Sequence, residues 1–189
     1  EKPVVMRLWW VYLCFMTANV TFYIFMDNYL TSRFNIGLFG TSMAMMVLGI
    51  ALATSSTFFV DRALGRFGTL PVIFTVTVVM ALSATLFIIT PQPALCYVFI
   101  ATYYFGFGLA YPALLGTFSA SVSDDEQGWI MGVTTAGFTL AAGIFSLIGG
   151  VMMAVDIRLP FYICIVAAIG ALILMRLTWR HPDIEAITR

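Results

Sequence analysis

Charge is scarce in this chain. Only 10% of the 189 residues are Asp, Glu, Lys or Arg, against about 25% in soluble domains, so most of the surface faces lipid or protein. Nine acidic and nine basic residues cancel to zero net charge, which argues against nucleic acid as a partner. The only histidine, His181, lies in the polar C-terminal tail. Cys14, Cys96 and Cys164 are odd in number, sit in apolar runs and have no metal-binding spacing, so they read as free thiols packed like small hydrophobes. An electron-carrying membrane subunit is excluded for want of His and Cys ligands. An intramembrane hydrolase lacks its nucleophile and base, with no paired Asp inside the apolar runs. No metal and no cofactor are implied. The chain begins Glu1-Lys2-Pro3 without an initiator Met or a signal-peptide pattern, and is read as part of something longer.

What the chain has is apolar length. No charged residue occurs at 8–26, 34–60, 67–123, 127–155 or 159–175. A helix rising about 1.5 Å per residue needs about 20 apolar residues to cross a bilayer. Four of these runs fit one crossing each. The 67–123 run fits two, divided by a turn at Thr90-Pro91-Gln92-Pro93. The sequence-based expectation is an all-α membrane protein with six spans at about 6–30, 37–60, 69–90, 94–119, 126–154 and 160–178, then a tail over 179–189. Asn19-Val20-Thr21 matches a glycosylation sequon but lies inside a span and is set aside. An even number of spans puts both termini on one side. That side receives Lys2, Arg7, Arg62, Arg66, Arg176, Arg180 and Arg189, and the other only Arg33 and Arg158. By the excess of cations, the termini and the 61–68 and 120–127 loops are expected to be cytoplasmic.

The two halves repeat an arrangement. Spans two and five carry paired glycines and end at Asp61-Arg62 and Asp156-Ile157-Arg158, whereas spans three and six are plain apolar segments. Two inverted three-helix repeats are one way transporter halves are built.

Asp61-Arg62-Ala63-Leu64-Gly65-Arg66-Phe67-Gly68 is the most specific motif. Its glycines permit a tight reversal, and its charges hold two helix ends at the membrane surface. Asp61 can pair with Arg66 or with a helix N-terminus. This segment resembles the signature loop of the major facilitator superfamily, Gly-x-x-x-Asp-Arg-x-Gly-Arg-Arg/Lys. Thr57 stands where the first Gly belongs, and Ala63-Leu64 is one residue longer than the usual spacer. The resemblance implies that these spans form the C-terminal half of a twelve-helix carrier. It gives Asp61, Arg62, Gly65 and Arg66 the role of stabilising one state of alternating access. Gly106-Phe107-Gly108-Leu109-Ala110-Tyr111-Pro112 resembles the family's tenth helix. Ser123-Asp124-Asp125-Glu126-Gln127-Gly128 resembles the start of the eleventh helix in drug–proton antiporters of the tetracycline-exporter type. Those antiporters' Gly-Pro-x-x-Gly-Gly element is absent.

Polar residues inside spans are costly unless they face a cavity or a partner. Asn19, Tyr23 and Asp27 recur every four residues on one helix face, with Asn28 alongside. On span four, Tyr104 and Tyr111 align at helical spacing, with Tyr103 adjacent. On span five, Thr134 and Phe138 share a face. The resemblance implies that spans one, two, four and five line a central cavity while three and six face lipid. Asn19, Tyr23, Asp27, Tyr103, Tyr104, Tyr111, Thr134 and Phe138 are therefore the candidate substrate-cavity residues, with helix–helix packing as the alternative. Asp27 is also a candidate proton carrier, or an interfacial acid paired with Arg33 near the outer surface. The resemblance puts the coupling carboxylates in the other half. Ser123 and Glu126 form a capping-box pattern, which can double as a gate.

The leading expectation is secondary transport of a small amphiphilic or drug-like solute by alternating access, coupled to protons and directed outward. Anionic substrates usually need an Arg or Lys within the spans, and none is present. The expected partners are the substrate, protons, the bilayer, and the other six-helix half or a second copy of this chain. The expected location is a bacterial inner membrane. The runners-up are a self-contained six-helix channel or assembly subunit, and a carrier of small metabolites.

Overall fold

The computed structural model describes residues 3–179; Glu1, Lys2, Arg180, His181 and the rest of the tail lie outside the described residues. Helix is the only regular structure among them. The elements are α1 (Pro3–Phe34), α2 (Leu38–Thr54), a π-helical turn (Ser55–Phe59), α3 (Val60–Phe67), α4 (Thr69–Ile89), α5 (Pro93–Ala120), α6 (Gln127–Val155) and α7 (Leu159–Thr178). Six continuous helical segments are long and apolar enough to cross a membrane. The chain is a multi-pass integral membrane protein.

Local chemistry sets the reversals. Span one ends where Asn35 adopts φ 54° and its N–H bonds to the Thr31 carbonyl at 2.9 Å, the left-handed cap that Asn tolerates best after Gly. Pro93 sits in the first turn of α5, where its missing N–H costs nothing. The 61–68 segment departs from expectation. It is not a loop: α2 passes through the π turn into α3, so Asp61 to Arg66 are helical and the reversal shrinks to Gly68, at φ 81°. Residues 61 and 66 then stand about 140° apart around the helix, and their side chains do not pair. Arg62 Nη1 instead donates to the Phe58 carbonyl at 2.9 Å, and Arg66 lies over the Phe67 ring.

α1 packs on α7 and α6, while α5 packs on α4 and α2; α4 also meets α7. Exchanging spans one, two and three for four, five and six maps this set of contacts onto itself. That is the packing expected of two related three-helix units. Aromatic rings fill the centre. Phe22 stacks on Tyr103 at 4.1 Å and meets Phe161 edge-on at 5.6 Å, and Phe87 lies 5.2 Å from Phe161. Such pairs contribute about 0.5–1.5 kcal/mol each beyond area burial. Lipid is as apolar as these side chains, so close packing holds the bundle together.

The chain covers its spans unevenly. Of each span's most apolar stretch, 61% is buried for span one and 56% for span four, but only 22% for span two and 17% for span five. Spans three and six, expected to be the lipid-facing pair, are more covered than two and five, at 44% and 33%. They close the back of the bundle by packing on α5 and α1. Most of the bare apolar surface lies on spans two and five.

Candidate functional site

The stripe on α1 runs from enclosed to open. Asn19 is buried and its Oδ1 has no partner, Tyr23 is 49% exposed, and Asp27 is partly covered with one carboxylate oxygen buried and unpartnered. Tyr104 reaches this stripe from α5. Its ring meets Phe22 edge-on at 6.0 Å, and it lies within electrostatic range of Tyr23 and Asp27. The Tyr104 hydroxyl is itself buried without a partner. Two spans thus each bury a polar atom, an Asp27 oxygen on α1 and the Tyr104 hydroxyl on α5, that finds no protein hydrogen bond.

The neighbouring tyrosine behaves otherwise. Tyr103 is fully buried on Phe22, and its hydroxyl lies 3.7 Å from Cys164 Sγ. Tyr104 is nearly as buried, so both rings belong to the packed centre; one residue turns about 100° around a helix, and the two hydroxyls end in different surroundings. Tyr111 is partly buried, stacked on Phe107 at 5.3 Å and close to Tyr12. On α6, Thr134 is buried and its hydroxyl donates to the Met131 carbonyl at 2.9 Å, so it is sealed into the packing. Phe138, one turn on, is 41% exposed at the rim. The expected shared face is therefore split between seam and surface.

Asp27 does not pair with Arg33. Six residues put them about 120° apart around the helix. Arg33 Nη1 donates to both the Ile88 carbonyl and the Tyr29 hydroxyl, and Tyr29 donates to Ile88 at 3.1 Å. The pair caps the last turn of α4, whose carbonyls have no partner within the helix. This cap was not visible in the sequence, since it joins positions 55 residues apart.

A 410 Å³ crevice opens between α1 and α6 and is lined in part by Asn28, Ser32, Ser146 and Gly150. The sequence pattern sets Asn28 beside the stripe and Ser32 one helical turn further on, whereas Ser146 carries no periodic signal that marks it. Hydroxyls and an amide make the crevice a neutral hydrogen-bonding surface. Asp61, Arg62, Gly65 and Arg66 are all exposed on α3, away from this group. Ser123 and Glu126 form the expected box: the Ser123 N–H and hydroxyl both donate to Glu126 Oε2, at 3.2 and 2.8 Å. Among the described residues no cluster of His, Cys, Asp and Glu is suited to a metal ion.

Comparison with known proteins places this architecture. The sequence profile of the Major Facilitator Superfamily matches residues 3–187. Multidrug resistance protein 1 of Bacillus subtilis (strain 168) is 29% identical over 153 residues, a match covering 77% of this chain. The chain spans only 38% of that relative's length.

Proposed function

The chain belongs to the Major Facilitator Superfamily, and from that premise we propose that it is the C-terminal half of a twelve-helix secondary transporter. In this reading it exports amphiphilic, drug-like solutes from a bacterial cytoplasm by alternating access, driven by protons. Both termini are cytoplasmic. The other six-helix half, or a second copy of this chain, packs on the bare faces of spans two and five. Asp61, Arg62, Gly65 and Arg66 on α3, with the Ser123–Glu126 cap, steady one state of the cycle. No covalent chemistry is involved: superfamily members move solutes. The B. subtilis relative is a multidrug resistance protein, which supports the drug-like substrate class, as do the aromatic and Met-rich spans.

One observation carries the coupling: one Asp27 carboxylate oxygen and the Tyr104 hydroxyl are each buried with no partner in the protein. Buried polar atoms are costly inside a membrane, and an ionisable one there marks a functional path. A proton on Asp27 neutralises the acid and gives it an O–H to donate. A cationic solute seated against the same carboxylate is the other way to satisfy it. Proton and solute then compete for one oxygen, which is what antiport requires. Tyr23 and the crevice hydroxyls offer the adjoining aromatic and polar contacts.

The test is efflux of a hydrophobic cation such as ethidium from proteoliposomes holding the full-length transporter under an imposed pH gradient. Asp27→Asn is expected to abolish gradient-driven efflux while leaving downhill exchange measurable. Tyr104→Phe is expected to weaken efflux and alter its pH profile. Wild-type gradient dependence in Asp27→Asn would overturn the coupling role of Asp27.

A further inference from the structure

We propose that the groove between α2 and α4 holds an acyl chain of an anionic phospholipid, whose headgroup is bound by Arg62 and Arg66. The groove encloses 660 Å³ and is walled by Val47, Ile50 and Thr54 on one side and Val76 and Val79 on the other. It exists because α2 and α4 both pack on α5 and scarcely touch each other. The floor is α5 itself, including Phe105 and Gly106. Gly106 lets α4 come close: a Cβ there would stand 3.1 Å from Met80 Cγ and 3.4 Å from the Val76 carbonyl. Thr102 in the floor offers carbon, since its hydroxyl is spent on the Val98 carbonyl at 2.8 Å. The lining is apolar along its length, as a hydrocarbon chain requires.

Charge identifies the occupant. At the α3 end, buried Val60, Val72 and Leu109 pack together, with Leu109, Val76 and Phe105 shared between this cluster and the groove. Phe59 packs edge-on against Phe105 at 5.3 Å, tying the π turn to the same end. Immediately beyond, α3 exposes Arg62 and Arg66, one helical turn apart and on one face. Asp61 is also exposed but projects from a different side of the helix and pairs with neither. Phe67, 62% exposed at the end of α3, supplies an aromatic anchor at the same level. Fifteen residues separate Val47 from Arg62, roughly 22 Å of helix. That exceeds the hydrocarbon of one leaflet, about half of 30 Å thick, so the groove is long enough for a whole acyl chain. A helix seated in the groove would run on into two uncompensated guanidinium groups. A phospholipid brings an apolar tail and an anion in the same register, and basic clusters just outside the hydrocarbon attract anionic headgroups. The site is separate from Asp27 and Tyr104, and does not depend on what the protein transports.

The experiment is native mass spectrometry of the detergent-purified chain, titrated with phosphatidylglycerol, with phosphatidylcholine of the same chains, and with inorganic phosphate. Phosphatidylglycerol is expected to be retained at concentrations roughly tenfold below phosphatidylcholine. Arg62→Gln/Arg66→Gln should erase that preference. Ala101→Phe, which fills the groove floor, should reduce retention of both lipids. Val166→Phe, on an exposed face of α7, should change neither. The proposal fails if the two lipids bind alike, or if the preference survives the double variant. Unchanged retention in Ala101→Phe, or displacement of lipid by inorganic phosphate, would reduce the site to a surface anion contact and overturn the groove. Dimers that exclude lipid would give the groove to a second copy and overturn it equally.

Discussion

The ring of Phe25 rests on the backbone of Gly149: a Cβ added at Gly149 would stand 2.5 Å from Cζ and 2.6 Å from Cε1. Phe25 is buried, and with Gly149 it borders the crevice between α1 and α6. Gly149→Ala is therefore expected to push the Phe25 ring out of its packing and toward that crevice, at up to about 1–3 kcal/mol, the usual cost of overpacking. Gly150→Ala is the control, because nothing lies within 4 Å of its added Cβ. Thermal unfolding in detergent, followed with a thiol-reactive dye that reports the buried Cys96 and Cys164, should show a lowered Tm for Gly149→Ala only. Phe25→Leu should relieve part of the loss in the double variant.

Arg33 holds the end of α4 through the Ile88 carbonyl, with Tyr29 sharing the acceptor. Arg33→Leu leaves that carbonyl with Tyr29 alone and is expected to cost about 1.5–3 kcal/mol, the range for a hydrogen bond to a charged group. Tyr29→Phe removes a neutral bond and should cost less, roughly 0.5–1.5 kcal/mol. Arg33→Lys should rescue in part, since one nitrogen, Nη1, serves both acceptors and an ammonium has donors enough for two. The same unfolding assay ranks the three. A Lys variant as unstable as Arg33→Leu would mean that the shorter stem does not reach the two acceptors.

Much of the fold is legible because charge and proline punctuate the chain so sharply. The charge-free runs, the Thr90–Pro93 turn and the Ser123–Glu126 box are local signals, and local signals survive in sequence. The continuation of span two through Ser55–Phe59 into α3 is not legible, because charged residues after an apolar run look like a loop whether or not the helix goes on. Tyr103 and Tyr104 show the limit for the site. They are identical neighbours in the chain and both are buried, yet the Tyr103 hydroxyl lies beside Cys164 while the Tyr104 hydroxyl has no partner. Helical periodicity separates their directions but does not say what each hydroxyl meets. Arg33 could be assigned to Asp27 only while its distant partner Ile88 was unknown.

The start of α6 depends on the Ser123–Glu126 box, in which one carboxylate oxygen receives two hydrogen bonds. Ser123→Ala is expected to cost about 1 kcal/mol, the typical loss for a helix cap. Its effect should be local. Hydrogen exchange at 124–128 is expected to rise while amides in the middle of α5 stay protected. A uniform rise across the bundle would mean that the cap holds the fold as a whole.

Topology gives the sharpest test of the six-span reading. With six spans, the α3 segment and the 121–126 connection lie on one side, and the 35–37 and 90–92 connections on the other. Single cysteines at Arg66, Ser123, Asn35 and Gln92, in a background lacking Cys14, Cys96 and Cys164, can be probed in intact cells with a membrane-impermeant maleimide. Asn35→Cys and Gln92→Cys are expected to label from outside, and Arg66→Cys and Ser123→Cys only after the membrane is opened. The cation excess on the Arg66 side sets the direction, while the alternation itself follows from the count of spans. Labelling of Arg66→Cys and Asn35→Cys from the same side would mean that span two does not cross. The long apolar helix through the π turn would then have to lie elsewhere, and the pairing of α2 with α5 would lose its meaning.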